Sequence, residues 1–159
     1  MMKKSILLVT MFMSLVSAGS LFALDEKVAA SFEKLFSYVT PASPGKALGL
    51  VSPEKFIQNI EDYKKNYLIL DIRSRQEAAI FGMSFNALNI PAPELFQLKN
   101  LKRLPADKKL LVLCSSGARS AAIGTALRGS GFDNVHILMG GLEALAKYLA
   151  TPAPLFKKK

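Results

Sequence analysis

The stretch "KLLVLCSSGARSAAIGTAL", Lys109 to Leu127, holds the single cysteine of a 159-residue chain. Cys114 stands where an apolar run ends and a glycine-bearing turn leads into helical sequence. A thiol at a strand end, followed by Ser115, Ser116, Gly117 and Ala118 and a helix starting near Arg119, sits where backbone N–H groups converge. Such a nest favours an anion and therefore the thiolate; cysteines in these settings fall from about 8.5 to roughly 3.5 to 7.5. Gly117 supplies a backbone conformation that other residues resist, and the small Ser and Ala side chains leave the amides open. Together these features make Cys114 a candidate nucleophile.

Counting removes other uses of the thiol. One cysteine gives no intramolecular disulfide, no CxxC redox pair and no thiolate cluster for zinc; no metal or cofactor is expected in the chemistry below. Papain-type proteolysis needs a histidine beside the nucleophile. The single histidine, His136, lies between Val135 and Ile137 on a predicted strand and reads as a packed or edge residue. Chemistry that needs only a stabilised thiolate is attack on a sulfane sulfur, giving a persulfide, or attack on phosphorus. The competing reading is a buried, inert cysteine at a strand end.

The elements that must position this loop follow from the hydrophobic pattern. Asp25 to Val39 places Val28, Phe32, Leu35, Phe36 and Val39 on one helical face, with Asp25 and Glu26 in the first turn. "TPASPGKALGL", residues 40–50, has no periodicity and reads as a connector. In "VSPEKFIQNIEDY", Ser52 caps a helix, Pro53 takes its first position, and Phe56, Ile57 and Ile60 form its apolar face. Tyr67 to Leu70, "ALNIP" before Pro91, "KLLVLC" and "NVHIL" read as four short strands. Between and after them lie helical text to Phe81, a brief helix from Pro93 to Leu98, a helix from Arg119 to Arg128 broken by Gly129 and Gly131, and a last helix from Leu142 to Leu149. Alternating strands and helices imply an α/β fold, a mostly parallel central sheet with helices on both faces. Sites in such sheets lie beyond the carboxyl ends of the strands, where Cys114 falls.

The rest of the chain bounds location and partners. Residues 1–23 show Lys3 and Lys4, an apolar stretch from Ile6 to Val16 and then small residues, the order of a secretory signal peptide. Cleavage after Ala18, Ser20 or Ala23 fits equally, and an uncleaved membrane anchor is the alternative. The expected organisation is a leader over 1–23, a helix and connector over 24–50, a domain over 51–150 and a basic tail over 151–159. The mature protein is expected outside the cytoplasm, in the periplasm, without stable membrane insertion. Net charge is +9, but the basic residues are scattered and no aromatics interleave them, which reads as a solvated surface and not a nucleic-acid stripe.

Cys114-Ser115-Ser116-Gly117-Ala118-Arg119-Ser120 resembles the CxxGxRS active-site loop of rhodanese-like sulfurtransferases. The similarity runs from Val51 to Leu145: "LILDIRS" is similar to the family's early strand ending in D-V-R, "ALNIP" to its A-x-N-I-P, and "GFDNVHILMGGLEAL" to its closing G-F-x-x-V-x-x-L-x-G-G. Four residues separate Cys114 from Arg119, against five in the related phosphatases, so the resemblance points to sulfur. Gly82 to Ala87 departs from the family's G-H-I-x-G-A, which implies a differently shaped connection, and Leu145 stands where a tryptophan is common.

The resemblance implies a three-layer rhodanese-like fold and a ping-pong cycle. Cys114 would take sulfane sulfur from thiosulfate or polysulfide, the amides from Ser115 to Ser120 would hold the persulfide anion, and a thiol or cyanide acceptor would remove it. A protein partner in a sulfur relay is a further expectation. Ser115 and Ser116 either add hydroxyl hydrogen bonds or face solvent. Arg119 either holds an anion or forms a structural ion pair with Asp71 or Glu77, and Asp71 is read as architectural. The second functional reading is a carrier or partner-binding module with little turnover.

Overall fold

The computed structural model describes residues 24–82 and 87–151. The expected leader, residues 83–86 of the departing connection and the basic tail after Thr151 lie outside the described residues. In chain order the elements are α1 (Glu26–Phe36), α2 (Pro44–Ala47), β1 (Leu50–Val51), α3 (Pro53–Gln58), α4 (Ile60–Asn66), β2 (Tyr67–Asp71), α5 (Arg75–Phe81), β3 (Ala87–Asn89), α6 (Ala92–Leu95), α7 (Leu98–Leu101), β4 (Lys109–Leu113), α8 (Ala118–Gly129), β5 (Val135–Leu138) and α9 (Gly141–Ala150).

Five strands form one sheet in the order β1-β5-β4-β2-β3, and every pairing is parallel. β4 lies at the centre, and Leu110 to Leu113 along it are at most 1% exposed. Because side chains alternate across a strand, β4 feeds two cores. Leu110, Val112 and Cys114 join Leu95 of α6 and Leu127 of α8 on one face. Leu111 and Leu113 join Phe56 of α3 and Tyr63 of α4 on the other, with Leu142 and Leu145 of α9 packed alongside. Helices thus cover both faces of an α/β sheet.

Several expectations are corrected in detail. A fifth strand, β1, straddles the end of the expected connector: Gly49 and Val51 accept hydrogen bonds from the Ile137 and Met139 amides at 2.9 Å. The same connector contains the single-turn α2. The helix expected after Ser52 is two helices, divided at Asn59, although Ser52 caps the first as expected by accepting from the Lys55 amide. Two short helices, α6 and α7, replace one. Helix α8 runs through Gly129, and the chain turns at Gly131, whose φ of 98° is the left-handed region.

Helix α1 begins after Asp25, which caps it by accepting from the Lys27 and Val28 amides. Its expected apolar face is only partly covered: Leu35 is buried, whereas Val28 and Phe36 are 51% and 48% exposed. Phe32 explains the docking. An added Cβ on Gly129 would come within 2.6 Å of the Phe32 ring, so that glycine lets α1 press onto the end of α8, where Ser31 Oγ also donates to the Gly129 carbonyl.

Candidate active site

Cys114 to Gly117 join the carboxyl end of β4 to α8, whose first turn carries Ala118, Arg119 and Ser120. The shape of this loop is set from behind by the start of α9. The Leu142 and Glu143 amides donate to the Cys114 and Ser115 carbonyls, both at 3.0 Å. With those carbonyls engaged at the back, the following amides turn toward the thiol. Gly117 takes φ 89° and ψ −19°, and an added Cβ there would lie 2.7 Å from the Gly140 nitrogen. Both the left-handed backbone and the close approach therefore require glycine. Gly141, at φ 60°, faces the same crowding, because a Cβ would sit 2.4 Å from the Cys114 and Ser115 carbonyl oxygens.

Cys114 is fully buried. The Gly117 amide donates to its Sγ at 3.2 Å, and Sγ lies 3.6 Å from Ser120 Oγ, whose own hydroxyl donates to the Gly117 carbonyl at 2.9 Å. Burial pushes the thiol up, but the amide and hydroxyl of Ser120 and the amides of Gly117 and Arg119 together outweigh it. The net effect is a thiol that ionises below its ordinary value.

The other expected residues divide around this cradle. Ser115 Oγ donates to Glu77 Oε1 at 3.1 Å, whereas Ser116, Ala118 and Arg119 are exposed. Arg119 pairs with Glu77, not with Asp71, through NH1 to Oε2 at 2.9 Å and NH2 to Oε1 at 2.6 Å. Glu77 also closes the start of α5: its carboxylate accepts from the Ser74 amide while Ser74 Oγ accepts from the Glu77 amide. The Arg119 fork, then the Ser74 amide, hold the Glu77 carboxyl well below the usual carboxylate range. Asp71 lies outside the loop, fully buried, with its carboxylate bound by Arg73. His136 stands on the face of the sheet opposite Cys114, its ring against Tyr67 at 5.3 Å, and burial lowers its pKa.

Gly140 and Gly141 as supports of the loop, and Arg73 as the partner of Asp71, are not among the sequence-based expectations. The doubled glycine before the last helix is the signal for the first; it reads locally as a turn, because its contacts lie more than twenty residues away. Arg73, two residues after Asp71, carries no local mark of burial.

A lone thiol in an amide nest, at the carboxyl end of the central strand of a parallel α/β sheet, defines a thiolate-stabilising domain. Residues 52–148 match the Rhodanese-like domain family, and the chain belongs to it. It is similar to a protein named tRNA uridine(34) hydroxylase from Onion yellows phytoplasma, 32% identical over 110 residues, covering 67% of this chain and 35% of that one. It also resembles a protein named sulfurtransferase from Allochromatium vinosum, 32% identical over 98 residues, covering 62% of this chain and 88% of that one. Among solved structures, a rhodanese-related protein from Thermoplasma volcanium is 34% identical with a TM-score of 0.53, over 62% of this chain and 90% of that one. The chain thus spans about a third of the length of the hydroxylase and nearly all of the sulfurtransferase.

Proposed function

We propose that this protein is a rhodanese-type sulfurtransferase that carries sulfane sulfur as a Cys114 persulfide. The observation that carries this reading is the cradle itself: the Gly117 amide on Sγ, Ser120 beside it and a thiol that ionises early. In the first half-reaction the Cys114 thiolate attacks the outer sulfur of thiosulfate or a polysulfide. A new S–S bond forms, the donor's S–S bond breaks, and sulfite or a shortened polysulfide leaves with the electron pair. The persulfide anion then sits where the thiolate sat, held by the same amides. In the second half-reaction a thiolate or cyanide attacks the outer sulfur, and Cys114 departs as thiolate. No base is required, which accords with His136 standing on the opposite face.

The order of residues 1–23 supports an exported, periplasmic protein. A second reading, a carrier that holds sulfur with little turnover, is favoured by the complete burial of Cys114. Intact-protein mass tests both. Wild type exposed to thiosulfate or polysulfide is expected to gain one sulfur, about 32 Da, reversibly with thiol, and the Cys114→Ser variant to gain none. Repeated discharge and reloading supports the enzyme, and one stoichiometric load supports the carrier. No adduct with either donor overturns both.

A further inference from the structure

The two glycines that lead from β5 into α9 share a left-handed backbone, Gly140 at φ 67° and Gly141 at φ 60°, for different reasons. A Cβ on Gly140 would meet the Ala144 side chain, one turn on in the same helix. A Cβ on Gly141 would meet the cysteine loop: the three atoms nearest to it are the Cys114 and Ser115 carbonyl oxygens and the Gly117 nitrogen, the last at 2.7 Å. Gly140 is thus a requirement of α9, and Gly141 is a requirement of the loop.

Those three atoms are the ones that shape the cradle. The two carbonyls accept from the Leu142 and Glu143 amides, both at 3.0 Å, and the Gly117 nitrogen is the donor to Cys114 Sγ at 3.2 Å. A trans peptide holds its C=O and its next N–H on opposite sides. Fastening the Cys114 and Ser115 carbonyls to α9 therefore turns the Ser115 and Ser116 amides away from that helix and sets the path of the chain into Gly117. A side-chain carbon does not come as close to other atoms as a Cβ on Gly141 would, so a methyl group there must displace either the loop or α9. The helix is the better anchored of the two. The Met139 amide just before it donates to the Val51 carbonyl at 2.9 Å, and Leu142 and Leu145 pack against the core beneath. The loop is what yields.

We infer that Gly141 is a positioning residue for the Cys114 nucleophile: by carrying no side chain it lets the start of α9 clamp the back of the loop, and the clamp places the Gly117 amide on the thiolate. The inference rests on the persulfide reading for the role of Cys114 as nucleophile, but the placement concerns the thiol before any sulfur arrives and is measured without a donor.

The test is the pH profile of iodoacetamide alkylation of the full chain, in which Cys114 is the single cysteine. Gly141→Ala is expected to raise the midpoint by roughly one pH unit, the loss of about one hydrogen bond to the charged form. Two further variants separate placement from general damage. Gly131→Ala adds a side chain at another left-handed position, φ 98°, where among the described residues nothing lies within 4 Å of the new Cβ. It is expected to lower stability in urea and to keep the wild-type midpoint. Glu143→Pro, in the first helical turn where proline is tolerated, deletes the donor to the Ser115 carbonyl without a methyl group at position 141, and is expected to raise the midpoint by less than Gly141→Ala does. A wild-type midpoint in folded Gly141→Ala overturns the assignment, as does an equal rise in Gly131→Ala. Should Gly141→Ala not fold, a wild-type midpoint in Glu143→Pro overturns it instead. Intact-protein mass after exposure to thiosulfate or polysulfide keeps the two readings apart: a protein that takes up no sulfur but shows the expected shift of midpoint overturns the persulfide reading and sustains the role of Gly141.

Discussion

Arg73 and Arg119 each grip a carboxylate with a guanidinium fork, with closest contacts of 2.7 and 2.6 Å, in opposite surroundings. The Arg73 and Asp71 side chains are 1% and 0% exposed, against 42% and 29% for Arg119 and Glu77. Arg73 NH2 also donates inside the fold, to the Gly82 carbonyl at 2.7 Å, while Asn89 ties the Asp71 and Arg73 carbonyls to β3 at 3.0 Å each. Glu77 instead reaches three groups that shape the site: Ser74, Ser115 and Arg119. Arg73 grips side-on through Nε and NH2 and Arg119 end-on through NH1 and NH2, and the two pairs serve different ends. The inner pair fixes the carboxyl edge of β2, and the outer pair fixes the approach to Cys114.

The largest effect should come from breaking the inner pair. Removing one partner of a buried ion pair leaves an uncompensated charge, a loss of about 3–5 kcal/mol. Asp71→Ala is expected to lose that much in urea-induced unfolding. A loss below about 1 kcal/mol would erase the distinction between the two pairs. The outer pair predicts the reverse. Arg119→Ala and Glu77→Gln should each change unfolding free energy by about 1 kcal/mol or less, as exposed pairs do, while slowing sulfur loading of Cys114. A double-mutant cycle on loading rates measures their coupling, and strictly additive losses would show that the pair does not act as a unit. Acid sharpens the same contrast. The Glu77 carboxyl is depressed, so what the pair contributes is present above the ordinary carboxylate range and fades as pH falls below it.

These pairs also mark what the sequence could disclose. The cysteine loop was legible because its chemistry is local: a thiol, a left-handed glycine and a helix start within seven residues. β2 and β4 were legible for the same reason, as continuous apolar runs. Asp71 was readable as architectural, but its partner was not, since nothing near Arg73 distinguishes a buried arginine from an exposed one. For Arg119 the sequence leaves open an anion or an ion pair with Asp71 or Glu77; only the packing of α5 beside the loop brings Glu77 to it. β1 was hidden because two residues carry no period, and it exists through pairing with β5 across more than eighty residues of chain. On α1 the period is legible but the extent of burial is not, because it is set by a distant contact, Phe32 against Gly129 of α8, which leaves Val28 outside.

The smallest effect concerns the thiol. Ser120 helps hold the Cys114 thiolate through its amide and hydroxyl, against a burial that works the other way. Ser120→Ala keeps the amide and deletes the hydroxyl. On ionisation the Ser120 hydroxyl, which donates to the Gly117 carbonyl beside the neutral thiol, turns its one proton to the thiolate; a hydrogen bond of about 1 kcal/mol corresponds to somewhat less than one pKa unit, and its loss raises the midpoint. The pH profile of iodoacetamide alkylation reads this directly: the wild-type midpoint should fall below that of free cysteine, and the variant midpoint should lie between them. Linkage supplies an independent reading. A depressed folded-state value means that stability rises with pH from the folded midpoint to the unfolded one, and is lost as pH falls through the folded midpoint. That slope should vanish in Cys114→Ser and shrink in Ser120→Ala. An alkylation midpoint lowered by Ser120→Ala would mean that burial, not the hydroxyl, governs the thiol, and the loop would then be a cover for Cys114 instead of a cradle.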